Sequence, residues 1–171
     1  MLKIILLSLL VTSIYAYEQE SKLKVLIIGK VAKYISWQKT DQDRFIITIL
    51  KNNDGDLFQN IYKNRKIKHK PVVIKYIDNI NQLQDTDILY ISPLNNQQIP
   101  YILKKLQTEN NIFTISDIRG FAEKGGMMQI YFASQRAKIK INLTQTTDKK
   151  FKIKSSLLRI ADVLRGSSLY E

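Results

Sequence analysis

The segment Ser116-Asp117-Ile118-Arg119-Gly120, continuing to Lys124-Gly125-Gly126, has the composition of an anion-binding loop. Gly120, Gly125 and Gly126 allow backbone N–H groups to come close to a ligand, while Arg119 and Lys124 bias such a pocket toward negative charge. The same glycines equally suit a tight connection that re-aims the chain between strands. Which reading applies depends on where the flanking elements place the loop.

The remaining reactive side chains form no catalytic set. His69, the one histidine, lies in a lysine-rich turn before Pro71, and no serine sits in a nucleophile-elbow context. It also lacks the companions that a zinc site needs, so no metal is expected. Asp54-Gly55-Asp56 begins like a calcium loop, but the later spaced oxygen ligands do not follow, and it reads as a turn. Asp85 and Asp87 flank Thr86 at a strand start, where they punctuate the loop instead of forming an acid/base pair. There is no Walker motif and no G-x-G-x-x-G fingerprint. With no cysteine in the chain, thiol catalysis, thiolate metal sites and disulfides are excluded.

The elements that position the loop follow from periodicity. Glu18 to Trp37 predicts a first helix, with Ile27, Val31 and Ile35 inward, Ile28 and Tyr34 beside them, and Lys22, Gly29, Lys33 and Ser36 opposite. Arg44 to Leu50 is a buried strand, followed by a turn and a short helix through Tyr62, capped by Asp54 or Asp56. Val72 to Ile77, Asp87 to Ser92 and Asn111 to Ser116 read as further strands. A short helical piece lies near Ile80 to Gln84, and a helix over Gln97 to Glu109 turns Ile99, Ile102, Leu103 and Leu106 inward. Strands alternating with helices indicate βαβ units, so the glycine loop falls at the carboxyl edge of a parallel sheet, where open α/β folds bind ligands. Alternation then changes at Met128 to Phe132 and Lys138 to Leu143, predicting an antiparallel hairpin at the sheet edge. A last helix is expected from Ser155-Ser156 to Gly166, with Leu157, Ile160, Ala161 and Leu164 as its apolar stripe and Arg159 and Asp162 outward. The expected fold is a three-layer α/β sandwich. Its mixed sheet is parallel in the first four strands, ends in the antiparallel hairpin, and carries helices on both faces.

The N-terminus reads as an export signal. Lys3 precedes an apolar run from Ile4 to Val11, and Ile14-Tyr15-Ala16 places a small residue for cleavage after Ala16. Residues 17–171 then read as one domain. The formal charge of +12 favours anionic partners. Export and the scattered basic residues, densest from Lys63 to Lys70, argue against nucleic acid and for an anionic bilayer, an acidic protein or a phosphate-bearing ligand. A lysine-rich solvated surface explains the same charge.

From about Lys22 to Leu164 the chain resembles the YfiR-like family of small periplasmic proteins. Lys33-Tyr34-Ile35-Ser36-Trp37 matches the family's K-[FY]-[VI]-x-W, and Gly120, Phe121, Ala122, Gly125, Gly126 and Met127 match G-F-A-x-x-G-G-M. Ile141-Asn142-Leu143 matches I-N-L, and Ser155, Ser156, Leu158, Arg159 and Ala161 follow the pattern of the final helix. The resemblance implies a non-enzymatic periplasmic α/β domain, commonly dimeric, that holds a membrane diguanylate cyclase or related sensor inactive, with no cofactor. An outer-membrane lipoprotein can sequester such repressors, and some members bind small aromatic or nucleotide-like molecules. Two departures stand out. The cysteines that support folding in some relatives are missing, and Gln38 follows the motif tryptophan where proline is common.

Function is therefore expected from binding surfaces. A partner would engage Arg159 and Asp162 together with the Arg119–Lys124 loop. A small anionic or aromatic ligand would lie against Ser116, Asp117, Arg119, Gly120, Lys124, Gly125 and Gly126. The alternative is a periplasmic small-ligand-binding accessory module for a receptor or transporter, with the glycine loop as its pocket.

Overall fold

The computed structural model describes residues 18–37, 42–93, 96–134 and 136–166. The expected leader over 1–16 and the departure at Gln38 lie outside them.

Helix α1 covers 18–32 and turns Val25, Ile28, Val31 and Ala32 into the core. It stops well before Trp37. Residues 33–34 form a turn, and β1 (Ile35–Ser36) pairs antiparallel with Ile153 and Lys152. The helical stripe expected to reach Ile35 was thus broken by a strand pairing that only a distant segment supplies. The inward face also differs from expectation: Gly29 is buried, and Tyr34 is exposed. A Cβ at Gly29 would meet the Tyr62 hydroxyl at 2.6 Å, so glycine is what lets that ring pack onto the helix. The Tyr62 hydroxyl donates to the Val25 carbonyl at 2.7 Å, and burial pushes its pKa up.

The β-branched run Phe45–Leu50 forms β2 and is buried throughout. After it come α2 (Leu57–Tyr62), β3 (Lys66–Ile67) and β4 (Lys70–Ile77). Asp56 occupies the N-cap of α2 without a side-chain cap bond. Next come β5 (Ile88–Ile91), α3 (Ile99–Lys105) and β6 (Phe113–Ser116), α3 being shorter than the periodicity predicts. The chain continues through β7 (Met128–Ala133), β8 (Arg136–Asn142), α4 (Leu143–Asp148), β9 (Lys152–Ile153), α5 (Ser155–Leu158) and β10 (Asp162–Leu164). The main sheet runs β10-β8-β7-β6-β5-β2-β4-β3. Pairings β4–β2–β5–β6 are parallel, as expected, and so is β6–β7.

The hairpin β7–β8 is antiparallel but does not end the sheet. The expected last helix is only one turn long, with Lys154 at its N-cap instead of a serine. The chain then extends as β10, parallel to β8, with Asp162 opposite Lys140 and Leu164 opposite Asn142. Backbone groups on the outer edge of β8 are satisfied by this strand, a stronger demand than the weak helical stripe of 155–164. Ile160, expected inward, is 75% exposed.

Alternating strand residues feed two cores. Ile47, Ile49, Tyr90 and Phe113 pack with α1 and α2, while Leu50, Leu89 and Ile91 pack with α3. The result is the three-layer arrangement expected from the sequence.

Candidate functional site

The loop after β6 does fall at the carboxyl edge of the parallel strands, and it is held from within. The Ser116 hydroxyl donates to the Ile91 carbonyl at 2.7 Å and accepts from the Ile118 N–H at 3.1 Å. Gly126 N–H donates to the Phe121 carbonyl, and Asn142 Nδ2 donates to the Ala122 carbonyl, both at 2.9 Å. Phe121 and Ala122 are fully buried and plug the loop into the α3 side of the core. Gly120 and Gly125 have φ of 76° and 98°, the left-handed region that favours glycine.

Asp117 faces inward to a lysine delivered by α1. Lys24 Nζ lies 3.0 Å from Asp117 Oδ2 and 3.6 Å from Asp54 Oδ2, and the Tyr90 hydroxyl donates to Asp117 Oδ1 at 2.9 Å. The Lys24 and Asp54 side chains are only 7% and 3% exposed. Asp54 Oδ2 and the Ser92 hydroxyl, both at this edge, have no hydrogen-bond partner among the described residues. At the sheet edge where a ligand is expected, Ser116 and Asp117 are engaged by Ile91, Ile118, Lys24 and Tyr90 of the protein itself. Sequence reasoning missed Lys24. The available signal was its place beside Ser21, Val25 and Ile28 on the inner face of α1, where a lysine requires a partner.

Arg119 and Lys124 are both exposed, whereas Asp117 is engaged by Lys24 and Tyr90. Lys124 and Gly125 instead line a cavity of about 570 Å³ between α3, α4 and the end of β10, whereas Ser116, Asp117, Arg119, Gly120 and Gly126 do not. Its walls include Leu103, Ile112, Met127 and Leu164, and Lys104 and Arg165 stand at its margin. The buried Lys149 donates to the Leu106 carbonyl at 3.2 Å and to that of Gln107, tying α4 to the C-terminal end of α3. Burial lowers its ammonium pKa. Glu123, which also lines the cavity, pairs with Lys140, and that ammonium holds its carboxyl below the usual range. The cavity is open on one side, and its lining mixes these apolar residues with polar and charged ones such as Glu109, Asn142, Asp148 and Lys149, so it could admit a small polar molecule.

Arg159 and Asp162 do not share a helix face. Arg159 caps α5, and Asp162 opens β10 and accepts a hydrogen bond from the Tyr131 hydroxyl. Asp87 is a buried acceptor for the Ile46 N–H at 2.7 Å, and burial raises its pKa. His69 is exposed at a left-handed turn position between β3 and β4.

Two solved structures resemble this fold. One is the ABC domain from Streptococcus pneumoniae in complex with L-Trp, at TM-score 0.53 and 12% identity, covering 80% of this chain and 60% of that one. The other is a conserved domain protein from Vibrio cholerae O1 biovar El Tor, at TM-score 0.55 and 12% identity, covering 84% of this chain and 60% of that one. The chain therefore spans about 60% of the length of each. At such identity the likeness is one of fold. No curated protein matches the sequence. A family model described as YfiR/HmsC-like matches residues 21–162, taking in most of α1, the glycine loop and the sheet as far as the first residue of β10, and the chain belongs to that family.

Proposed function

We propose that this protein is a periplasmic regulator that binds a membrane-bound diguanylate cyclase and restrains it, acting as a single exported domain and as a homodimer. The observation that carries the reading is family membership over 21–162. Among the described residues no helix is long and apolar enough to cross a membrane, which accords with a domain that meets its partner from outside the bilayer. Restraint of this kind needs no chemical step. The repressor must bind the inactive cyclase more tightly than the active one, and turning a population from about 99% active to about 99% inactive takes about 10⁴-fold preference. An outer-membrane lipoprotein that competes for the same surface would release the cyclase.

A strain lacking the gene should have raised cyclic di-GMP. An exported copy should lower it again, and a copy without residues 1–16 should not. An unchanged level in the deletion strain would sink this reading.

The cavity beside Lys124 and Gly125 favours a second reading, a small-ligand-binding accessory module. Small anionic and aromatic compounds are the probes, L-tryptophan among them because the Streptococcus domain holds it. A ligand present at a hundred times its Kd should stabilise the protein by about 2.7 kcal/mol. In thermal unfolding that is a rise in Tm of roughly 5–10 °C. Leu103→Trp, which puts an indole into the cavity, should reduce the rise, and a rise that is wholly unchanged would place the ligand elsewhere.

A further inference from the structure

Helix α1 is apolar on two sides. Its inner face packs on the sheet, yet Leu23, Leu26 and Tyr34 remain 42%, 37% and 40% exposed. Together with Lys30 they fall at i, i+3, i+7 and i+11, a single stripe along the helix and into the turn that ends it. The other large apolar side chains exposed among the described residues, Tyr76, Tyr101 and Ile160, belong to three separate parts of the fold. Scattered exposed apolar residues are ordinary on a protein surface, but a stripe on one element is not. Lys22 and Lys33 flank it on one side; Lys22 is held by Glu18 at 2.7 Å, and Lys33 is exposed.

We propose that this outer face of α1 docks onto an anionic lipid surface. The choice of lipid over protein turns on Lys30, which sits between Leu26 and Tyr34 in the middle of the stripe and is exposed. A protein groove that buried the leucines would have to desolvate that ammonium. At a bilayer its methylene stem lies along the apolar boundary while the charge reaches a phosphate. Tyr34 suits the same boundary, with its ring in the apolar zone and its hydroxyl in the headgroups. Lys33 adds attraction to anionic headgroups, and the overall charge of +12 adds a longer-range pull. This surface is independent of the cyclase reading and of the cavity.

The test is flotation of the purified protein with vesicles of mixed phosphatidylglycerol and phosphatidylcholine, compared with vesicles of phosphatidylcholine alone. The protein should float with the anionic vesicles, weakly or not at all with the neutral ones, and less as salt rises. Lys30→Glu should weaken binding by about tenfold or more. Leu23→Glu with Leu26→Glu should reduce it to background. These side chains are exposed, so an unchanged near-UV spectrum and unfolding midpoint will verify the fold of each variant. Lys63→Glu with Lys66→Glu changes the net charge without touching α1 and should bind nearly as well as the parent. The proposal is overturned by equal flotation with both vesicles, by attachment that survives the α1 substitutions, as a retained leader would give, or by equal loss in the Lys63/Lys66 variant.

Discussion

Replacing Lys24 with methionine should destabilise the protein by about 3–5 kcal/mol, because it leaves buried carboxylates without their counter-charge. The stem of methionine fills much the same space, so the loss reports the ammonium and not a cavity. Among the described residues that ammonium pairs with both Asp117 and Asp54, and the Asp54 oxygen facing it has no hydrogen bond from them to fall back on. For a chain of this size the loss corresponds to a fall in Tm of roughly 10 °C, read by circular dichroism or by a urea midpoint. Adding Asp117→Asn to Lys24→Met should recover on the order of 1–2 kcal/mol, since the neutral amide still accepts from Tyr90 and one uncompensated charge is gone. Lys22→Met is the control. Its partner Glu18 is exposed, and the pair should be worth no more than about 0.5 kcal/mol. A Lys24→Met protein as stable as the parent would show that solvent, not the lysine, neutralises Asp117.

Gly126→Ala should cost about 1–3 kcal/mol through overpacking. A Cβ at Gly126 would lie against Cδ1, Cε1 and Cζ of Phe121, inside any tolerable contact. Phe121 cannot retreat easily. It is fully buried against the α3 side of the core, and its carbonyl is already bonded to Gly126 N–H. Gly125 presents the opposite situation. A Cβ there would meet only Leu103 Cδ1 at 3.8 Å, but the residue has φ of 98°, so Gly125→Ala is penalised by backbone conformation and not by space. The two mechanisms separate on adding Phe121→Leu, which should restore much of the loss in Gly126→Ala and none of that in Gly125→Ala. Equal rescue of both by Phe121→Leu would contradict this division.

The parallel strands were legible because each is a short apolar run that needs no knowledge of the rest of the chain. Phe45–Leu50 is buried at every position whichever neighbour it pairs with. The misread segments are those whose state is set by a partner far away in sequence. Ile35 continues a good helical stripe, yet Ile153 draws it into a strand. Leu157 to Leu164 carries helical spacing, yet the open edge of β8 takes Val163 and Leu164. The candidate site divides along the same line. Its glycines and charges were visible locally, and Lys124 and Gly125 do reach the cavity. That Ser116 and Asp117 are consumed internally depended on Ile91, Lys24 and Tyr90, which come from two other elements. Nothing in a local window announces such a partner except the oddity of a lysine on an apolar helix face.

The pairing of Ile35 with Ile153 has a kinetic consequence. The strand that follows the first helix has its partner at Lys152 and Ile153, and the edge of β8 stays open until Asp162 to Leu164 arrive. A chain emerging from the ribosome can collect the central strands early but cannot complete either pairing until residues 152–164 have been made. Closing such long loops late carries a large entropic barrier and slows the final step. Both pairings therefore wait on the segment from Lys152 to Leu164, whichever of the central strands meet first.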